Sequence, residues 1–117
     1  KKALENKPIT IFGDGTTSRD FTFIEDVIQA NLRAAISTKS DGHVVNVAYG
    51  DRFTLTELAN KVIENIGSSS TIEYADFRKG DVLHSLADLT TTKDLIGYEP
   101  QFDLSLGLSN TIDFYKN

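Results

Sequence analysis

Short strand patterns alternate with amphipathic helix patterns along this chain of 117 residues. Alternating or valine-rich apolar residues predict strands over residues 8–12, 43–47 and 71–74. Apolar residues at helical spacing predict longer helices over residues 24–35, 55–66 and 104–115. Because the strands are few and short, the alternation predicts an α/β or mixed α+β fold, in which a small mixed sheet packs against three or four helices.

Local signals mark where these helices begin and end. Two pairs have the spacing of a capping box, Thr22 with Glu25 and Thr54 with Glu57. Gly67 is a natural C-terminal stop for the second long helix, and Asp103 is the expected cap of the last one. A short additional helix is predicted over residues 90–95.

The composition of the chain limits which binding partners and which cellular compartment are expected. The net charge of −5 argues against a general nucleic-acid binder, because affinity for a phosphate backbone needs a basic surface. No apolar run approaches membrane-spanning length, and no secretory signal is present. The chain contains no cysteine, which is compatible with a reducing cytoplasm. We therefore expect a cytoplasmic protein that binds neither nucleic acid nor membrane.

The first residues bear on whether the chain is complete. There is no methionine anywhere, and the opening KKALEN resembles the tail of a helix. We expect a piece of a longer protein; a processed natural N-terminus is the alternative.

Two arginines lie on glycine turns far apart in the chain, Arg19 and Arg78. A guanidinium is planar, always charged and suited to bidentate phosphate contacts. If the two converged, they could grip both phosphates of a diphosphate, and Asp81 could accept from ribose hydroxyls. From residue type alone the alternative is favoured, namely a surface ion pair of Arg19 with Asp20 or a nearby carboxylate, and a solvated charged turn at Arg78.

Other short motifs in the chain do not meet the requirements of a dinucleotide site, a nucleophilic pair or a zinc site. Residues 13–15, Gly-Asp-Gly, begin a dinucleotide fingerprint but lack its third glycine, and a hairpin turn is the alternative. His84 and Ser85 are adjacent in an extended segment, so their side chains point to opposite faces and form no nucleophilic pair. Two histidines and no cysteine give no zinc constellation. We predict no catalytic residue and no metal site in this chain.

Motifs in a fixed order carry a resemblance to a known family. They are Gly13-Asp14-Gly15, Ser18-Arg19-Asp20-Phe21, Ile24-Glu25-Asp26-Val27 and Val45-Asn46-Val47, then residues 78–88, 95–100 and 104–108. Together they resemble the carboxy-terminal part of nucleotide-sugar epimerases and dehydratases of the extended short-chain dehydrogenase/reductase (SDR) family. The resemblance covers essentially the whole chain, which makes it far stronger than any single motif.

This resemblance implies that two domains of a longer protein have different functions. An amino-terminal Rossmann domain, absent from residues 1–117, would hold NAD and supply the catalytic residues. The chain itself would be the carboxy-terminal nucleotide-sugar-binding domain, with Arg19 and Arg78 on the diphosphate and Asp81 on the ribose. The implied partners are a UDP-sugar and the Rossmann domain of the same polypeptide, and a homodimer of the full-length protein stays open.

Two details of the resemblance concern the substrate. The Gly50-Asp51-Arg52 turn and the Phe77-Arg78-x-Gly80-Asp81 segment look like the branch that epimerises UDP-N-acetylglucosamine. In that branch Arg52 would be a third nucleotide-side contact. Ser85 matches a gate beside the sugar, where a small side chain leaves room for an N-acetyl group; the equal alternative is a small residue on a strand.

The expected function is therefore the substrate-binding part of an NAD-dependent UDP-hexose 4-epimerase acting on UDP-N-acetylhexosamines. A nucleotide-sugar dehydratase or decarboxylase of the same family is one alternative. A free-standing, non-catalytic binding module is the other.

Overall fold

The computed structural model describes residues 1–116, which form a mixed α/β arrangement of short strands and four α-helices. A 3-10 turn covers Lys2–Glu5; the strands are β1 (Ile9–Phe12), β2 (Ser18–Arg19), β3 (Phe53–Thr54) and β4 (Ile72–Ala75); the helices are α1 (Ile24–Ile36), α2 (Leu55–Ile66), α3 (Thr90–Ile96) and α4 (Leu104–Lys116). The predicted fold class is confirmed. None of these helices is both long and apolar enough to cross a bilayer.

The strands form two small sheets. β1 pairs with β4 in parallel, from Ile9 opposite Ile72 to Phe12 opposite Ala75. β2 pairs with β3 in the antiparallel sense, with Arg19 opposite Phe53. The hairpin alternative for residues 13–15 is wrong, because these residues connect the two sheets and the strands on either side of them pair elsewhere.

Capping fixes the start and the end of α2 as predicted. The Thr54 hydroxyl accepts from the Glu57 amide at 3.1 Å, and the Glu57 carboxylate accepts from the Thr54 amide at 2.7 Å. The hydrogen bond from the Thr54 backbone is the main reason that the pKa of Glu57 lies below its ordinary value. Gly67 ends the helix in the left-handed conformation, with φ of 70°. The Asp103 carboxylate likewise caps α4 by accepting from the Leu106 amide at 2.8 Å.

The capping box predicted for Thr22 and Glu25 is not formed. α1 begins one residue later, with Phe23 in the cap position and no side-chain cap. The Phe23 ring packs on Phe102, with 4.8 Å between ring centroids, and touches α4 where Gly107 leaves space. Packing of one aromatic side chain therefore outweighs a local capping preference, which is worth about 1 kcal/mol.

The apolar stripe of α1 faces outward. The helix buries Asp26 and Ala30 on its other side, where it packs against α3. Four large side chains along the stripe are 48–83% exposed: Ile24, Ile28, Leu32 and Ile36. An exposed stripe of this size indicates a docking face rather than a solvated surface.

The strand predicted over residues 43–47 is wrong for this chain. These residues form no ladder with any strand in residues 1–116, and Val44 is 93% exposed. A strand needs a neighbour to satisfy its backbone groups, and the described part of the chain offers none at this position.

Tyr98 occupies the centre of the small core formed with Ala30 and Ile96. Its ring is 2% exposed, and its hydroxyl donates to the Ala48 carbonyl at 2.9 Å. Burial, with smaller contributions from the charges of Asp26 and Asp20, raises the pKa of Tyr98 to about 12.

This shift predicts a loss of stability at high pH. A tyrosine pKa that is higher in the folded than in the unfolded protein stabilises the fold fully below pH 10, and that contribution is lost as the pH rises towards 12. The expected loss is about 2 kcal/mol in the free energy of unfolding. Denaturant titrations from pH 9 to pH 12 should show it, and the Tyr98→Phe variant should show a correspondingly flatter profile. Identical profiles for the two proteins would contradict the assignment.

Candidate functional site

The candidate site lies where the carboxyl ends of β1 and β4 meet. The Gly13 amide extends the parallel ladder by donating to the Ala75 carbonyl at 2.8 Å. Gly13 has φ of +93°, and a β-carbon there would lie 2.4 Å from the ring of Phe77. Glycine is therefore required at this position, both for the backbone conformation and for the close approach of the next loop. Ligands bind characteristically in the crevice at this end of parallel strands.

Arg78 reaches back over the end of β1. Its guanidinium carbon lies 3.7 Å from the centroid of the Phe12 ring, which is a cation–π contact. Together with Asp81 it lines a cavity of about 380 Å³, bounded by β1, α2 and residues 1–3. The ring contact holds the guanidinium at the edge of β1, beside this cavity.

A tight turn sets the spacing between Arg78 and Asp81. The Asp81 amide donates to the Arg78 carbonyl at 3.2 Å, and Gly80 has φ of +90°. The predicted turn is present. Its side chains are exposed, as expected for a solvated charged turn. That interpretation does not account for the contact between Arg78 and the Phe12 ring, which holds Arg78 in place.

Arg19 lies on β2, partly buried. One of its terminal nitrogens, Nη1, donates to the Ser18 carbonyl at 2.8 Å and to the Leu83 carbonyl at 3.4 Å. Its Nε and Nη2 atoms form no hydrogen bond with residues 1–116, so they are available to an external acceptor. Arg19 does not line the cavity next to Arg78 and Asp81.

The ion pair between Arg19 and Asp20 is not formed. The two Asp20 carboxylate oxygens accept from the amides of Tyr49 and Gly50, each at 3.0 Å. Within residues 1–116 the salt bridges join Lys7 to Glu5 and Lys93 to Glu99. The positive charges of Arg19 and Arg78 are therefore not neutralised by a carboxylate in the described chain, which favours an external anion.

One loop connects the two arginines. Residues 83–85 run beside β2: the Ser18 amide donates to the Leu83 carbonyl at 2.9 Å, and the Ser85 amide donates to the Ser18 carbonyl at 3.2 Å. The same loop begins at Arg78. Because five residues span at most about 18 Å, the loop confines Arg78 and Arg19 to one region of the surface.

The remaining predicted residues lie at the edge of this region. Arg52 precedes β3 by one residue, is exposed, and donates its amide to the Asp51 carboxylate at 2.8 Å. Ser85 has its amide fixed on β2, whereas its exposed side chain makes no hydrogen bond with residues 1–116.

Sequence reasoning missed two polar contacts that shape the site. Asp20 anchors the turn that leads to Arg52, whereas its place in the sequence suggests only a pair with Arg19. The Ser18 hydroxyl lies 2.8 Å from Nδ1 of His84. That pair is separated by 66 positions, so no local signal could have found it.

Comparisons with known proteins show what the chain as a whole is similar to. A family model described as the NAD dependent epimerase/dehydratase family matches residues 1–48. UDP-glucose 4-epimerase of Mycolicibacterium smegmatis is 32% identical over 114 residues, which cover 97% of this chain and 36% of the relative. The chain spans 36–37% of the length of this protein and of two other curated relatives that it matches.

Solved structures superpose closely on the chain. One is UDP-glucuronic acid 4-epimerase from Bacillus cereus in complex with UDP-glucuronic acid and NAD, with a TM-score of 0.92, 33% identity, and coverage of 98% of this chain and 37% of that one. Another is UDP-N-acetylglucosamine 4-epimerase from Methanobrevibacter ruminantium M1 in complex with UDP-N-acetylmuramic acid, with a TM-score of 0.87, 32% identity, and coverage of 97% and 36%. The similarity therefore extends over the whole fold described above.

Proposed function

Because the chain is similar over almost its whole length to part of several UDP-sugar epimerases, we propose that it belongs to the NAD-dependent epimerase/dehydratase family and is the substrate-binding, carboxy-terminal domain of a UDP-sugar 4-epimerase. The observation that carries the proposal is that the Arg78 guanidinium is held in place without a carboxylate partner in residues 1–116. It is held on Phe12 beside Asp81, at the carboxyl ends of β1 and β4. Such a cation is preorganised for an anionic ligand.

A diphosphate is the anion that this arrangement suits. A hydrogen bond to a charged group contributes about 1.5–3 kcal/mol. Arg78 on one phosphate and Arg19 on the other would then supply a large share of a micromolar affinity, which is about −8 kcal/mol. Asp81, beside Arg78, would accept from the ribose hydroxyls, and Arg52 would approach the same nucleotide from the start of β3.

NAD is assigned to a Rossmann domain elsewhere in the same polypeptide, because the glycines of this chain do not fit a dinucleotide. A β-carbon at Gly13 would meet Phe77, and one at Gly15 would meet Thr56 at 2.0 Å, so side chains already cover both glycines. The segment that follows enters β2 and not a helix. When bound to its own domain, NAD supplies the reversible transfer of hydride at C4 of the hexose.

The role of this chain is to hold the UDP moiety while the sugar turns to present its other face to NAD. Arg19, Arg78 and Asp81 would bind only atoms that do not react, so the sugar can turn over without leaving the protein. Binding energy from the non-reacting part of a substrate can in this way support the chemistry at its reacting part.

The outward stripe of α1 gives the Rossmann domain a docking face. Ile28 and Leu32 are 48% and 57% exposed, and Val44 lies on the segment that lacks a strand partner. A neighbouring sheet would bury the stripe and complete the strand predicted over residues 43–47.

For the sugar itself, we propose an N-acetylhexosamine. The Ser85 amide is fixed on Ser18 of β2, and its small side chain is exposed. A serine there leaves volume that an acetamido group can occupy, whereas a tyrosine would fill it.

Replacing Ser85 with a larger residue should therefore change the substrate preference. In the full-length protein, Ser85→Tyr should lower kcat/KM for UDP-N-acetylglucosamine by about 10-fold and that for UDP-glucose by no more than about 2-fold. Ser109→Tyr, at an exposed position of α4, is the matched control and should affect neither. Equal losses on the two sugars would remove the gate assignment.

The proposed function is tested with the protein encoded by the complete reading frame. We expect a glycine-rich strand-turn-helix and a Tyr-x-x-x-Lys motif upstream of Lys1, bound NAD, and interconversion of C4 epimers of a UDP-sugar. Release of carbon dioxide or formation of a dehydrated sugar would assign the protein to the other reactions of the family. Binding of UDP-sugar without turnover would indicate a binding module.

A further inference from the structure

A cluster of hydrogen bonds between β2 and residues 83–85, here called the clasp, is not accounted for by ligand binding. Two backbone bonds join Ser18 to Leu83 and Ser85, and the Ser18 hydroxyl lies 2.8 Å from Nδ1 of His84. Arg19 belongs to the same cluster, since its Nη1 donates to the carbonyls of Ser18 and Leu83. The clasp therefore joins the strand of one arginine to the loop of the other.

Beyond the contacts of Phe77 with Gly13 and of Arg78 with Phe12 at the start of the loop, little besides these hydrogen bonds holds it. All residues from Asp76 to Leu86 are exposed, and the large apolar side chains Val82, Leu83 and Leu86 are 61%, 51% and 53% exposed. Apolar burial therefore contributes little to docking of the loop in this chain. Ser18, in contrast, is only 5% exposed, so its hydroxyl needs a partner, and His84 provides it.

We propose that Ser18 and His84 are positioning residues, whose side-chain hydrogen bond keeps Arg78 and Asp81 at the spacing from Arg19 that a diphosphate requires. This inference rests on the proposed function. The two residues need not touch the ligand, because they act through the loop. Losing the bond weakens the docking of the loop on β2, although the backbone bonds of the clasp remain, so UDP must then order the loop again in a larger fraction of the molecules.

The experiment measures UDP binding and epimerase kinetics of the full-length protein. Ser18→Ala and His84→Gln should each raise the Kd for UDP and the KM for the UDP-sugar by about 3- to 10-fold, which is the range that one net hydrogen bond supports. The value of kcat should change by less than about 2-fold, because the reacting groups lie elsewhere. His43→Gln, at the other, exposed histidine, is the matched control and should leave both constants unchanged.

A conservative variant separates positioning from general damage. Asn places a polar atom where Nδ1 of histidine lies, whereas the amide of Gln lies farther from the backbone. His84→Asn should therefore restore most of the UDP affinity that His84→Gln loses. In a cycle with Arg19→Leu, the effect of His84→Gln should shrink, because the spacing between the arginines no longer matters.

The outcomes distinguish this inference from the proposed function. Wild-type protein that binds no UDP overturns the proposed function and the clasp with it. Wild-type protein that binds UDP, with variants that bind it equally well, overturns the clasp alone. Variants that unfold at a lower temperature but keep the wild-type Kd also overturn it, since the hydrogen bond is then structural only.

Discussion

Replacing Arg78 with leucine in the full-length protein should weaken binding of the UDP-sugar by about 100-fold, measured as the Kd for UDP and the KM for the substrate. The guanidinium is already oriented by Phe12, at 3.7 Å from the ring centroid, so its contact with a phosphate costs little further ordering. Leucine keeps an apolar contact with the ring while it removes the charge and every donor. The change therefore tests the phosphate contact and not the packing of the loop.

Two further variants sharpen this prediction. Lys79→Leu removes one positive charge from the neighbouring position of the same turn and should change the Kd by no more than about 3-fold, which measures the contribution of general charge. Arg78→Lys keeps the charge but loses the planar fork, so its affinity should lie between those of leucine and wild type. An Arg78→Leu protein with unchanged KM and kcat would defeat the assignment of this residue.

The elements that sequence predicted best are those whose signals are local. α2 has an apolar face, a capping box in Thr54 and Glu57, and Gly67 as its C-terminal stop, and all of these lie within the helix or next to it. The parallel pairing of β1 with β4 involves residues about 60 positions apart, and nothing within either strand selects that partner. The class of the fold could therefore be predicted, but not the division of its strands into two sheets.

The errors have physical reasons of the same kind. The periodicity of α1 marks an apolar stripe correctly, but it cannot say whether this chain or another unit covers it. Residues 43–47 have the composition of a strand, and no strand in residues 1–116 pairs with them. Both errors would follow from a neighbour that lies outside this chain, as the proposed domain arrangement requires.

For the candidate site, residue types pointed to the arginines but not to what holds them. The competing interpretation of Arg19 as the partner of Asp20 depended on sequence adjacency. The structure instead uses Asp20 to accept two amides of the Tyr49–Gly50 turn. Both oxygens of the Asp20 carboxylate are occupied by these amides, which is why the neighbouring charges do not meet.

Replacing the buried carboxylate of Asp26 should have the largest effect on stability. It is 0% exposed, and its two oxygens accept from the amides of Gln101 and Phe102 at 2.8 and 3.2 Å. These amides belong to the loop between α3 and α4, so the carboxylate joins that loop to the start of α1. Asp26→Ala would leave both donors without their acceptor and is expected to lower the free energy of unfolding by about 3 kcal/mol.

Denaturant unfolding of the full-length protein measures this effect, as a lower midpoint at an unchanged slope. Glu25→Ala is the matched control, because it removes a carboxylate from the adjacent, exposed position of the same helix and should cost less than about 1 kcal/mol. Asp26→Asn keeps one acceptor oxygen and should fall between the two. If Asp26→Ala unfolded at the same midpoint as Glu25→Ala, the loop would have to be held by something other than its amide bonds. The Phe23–Phe102 ring contact would then be the candidate, since it joins the same two segments.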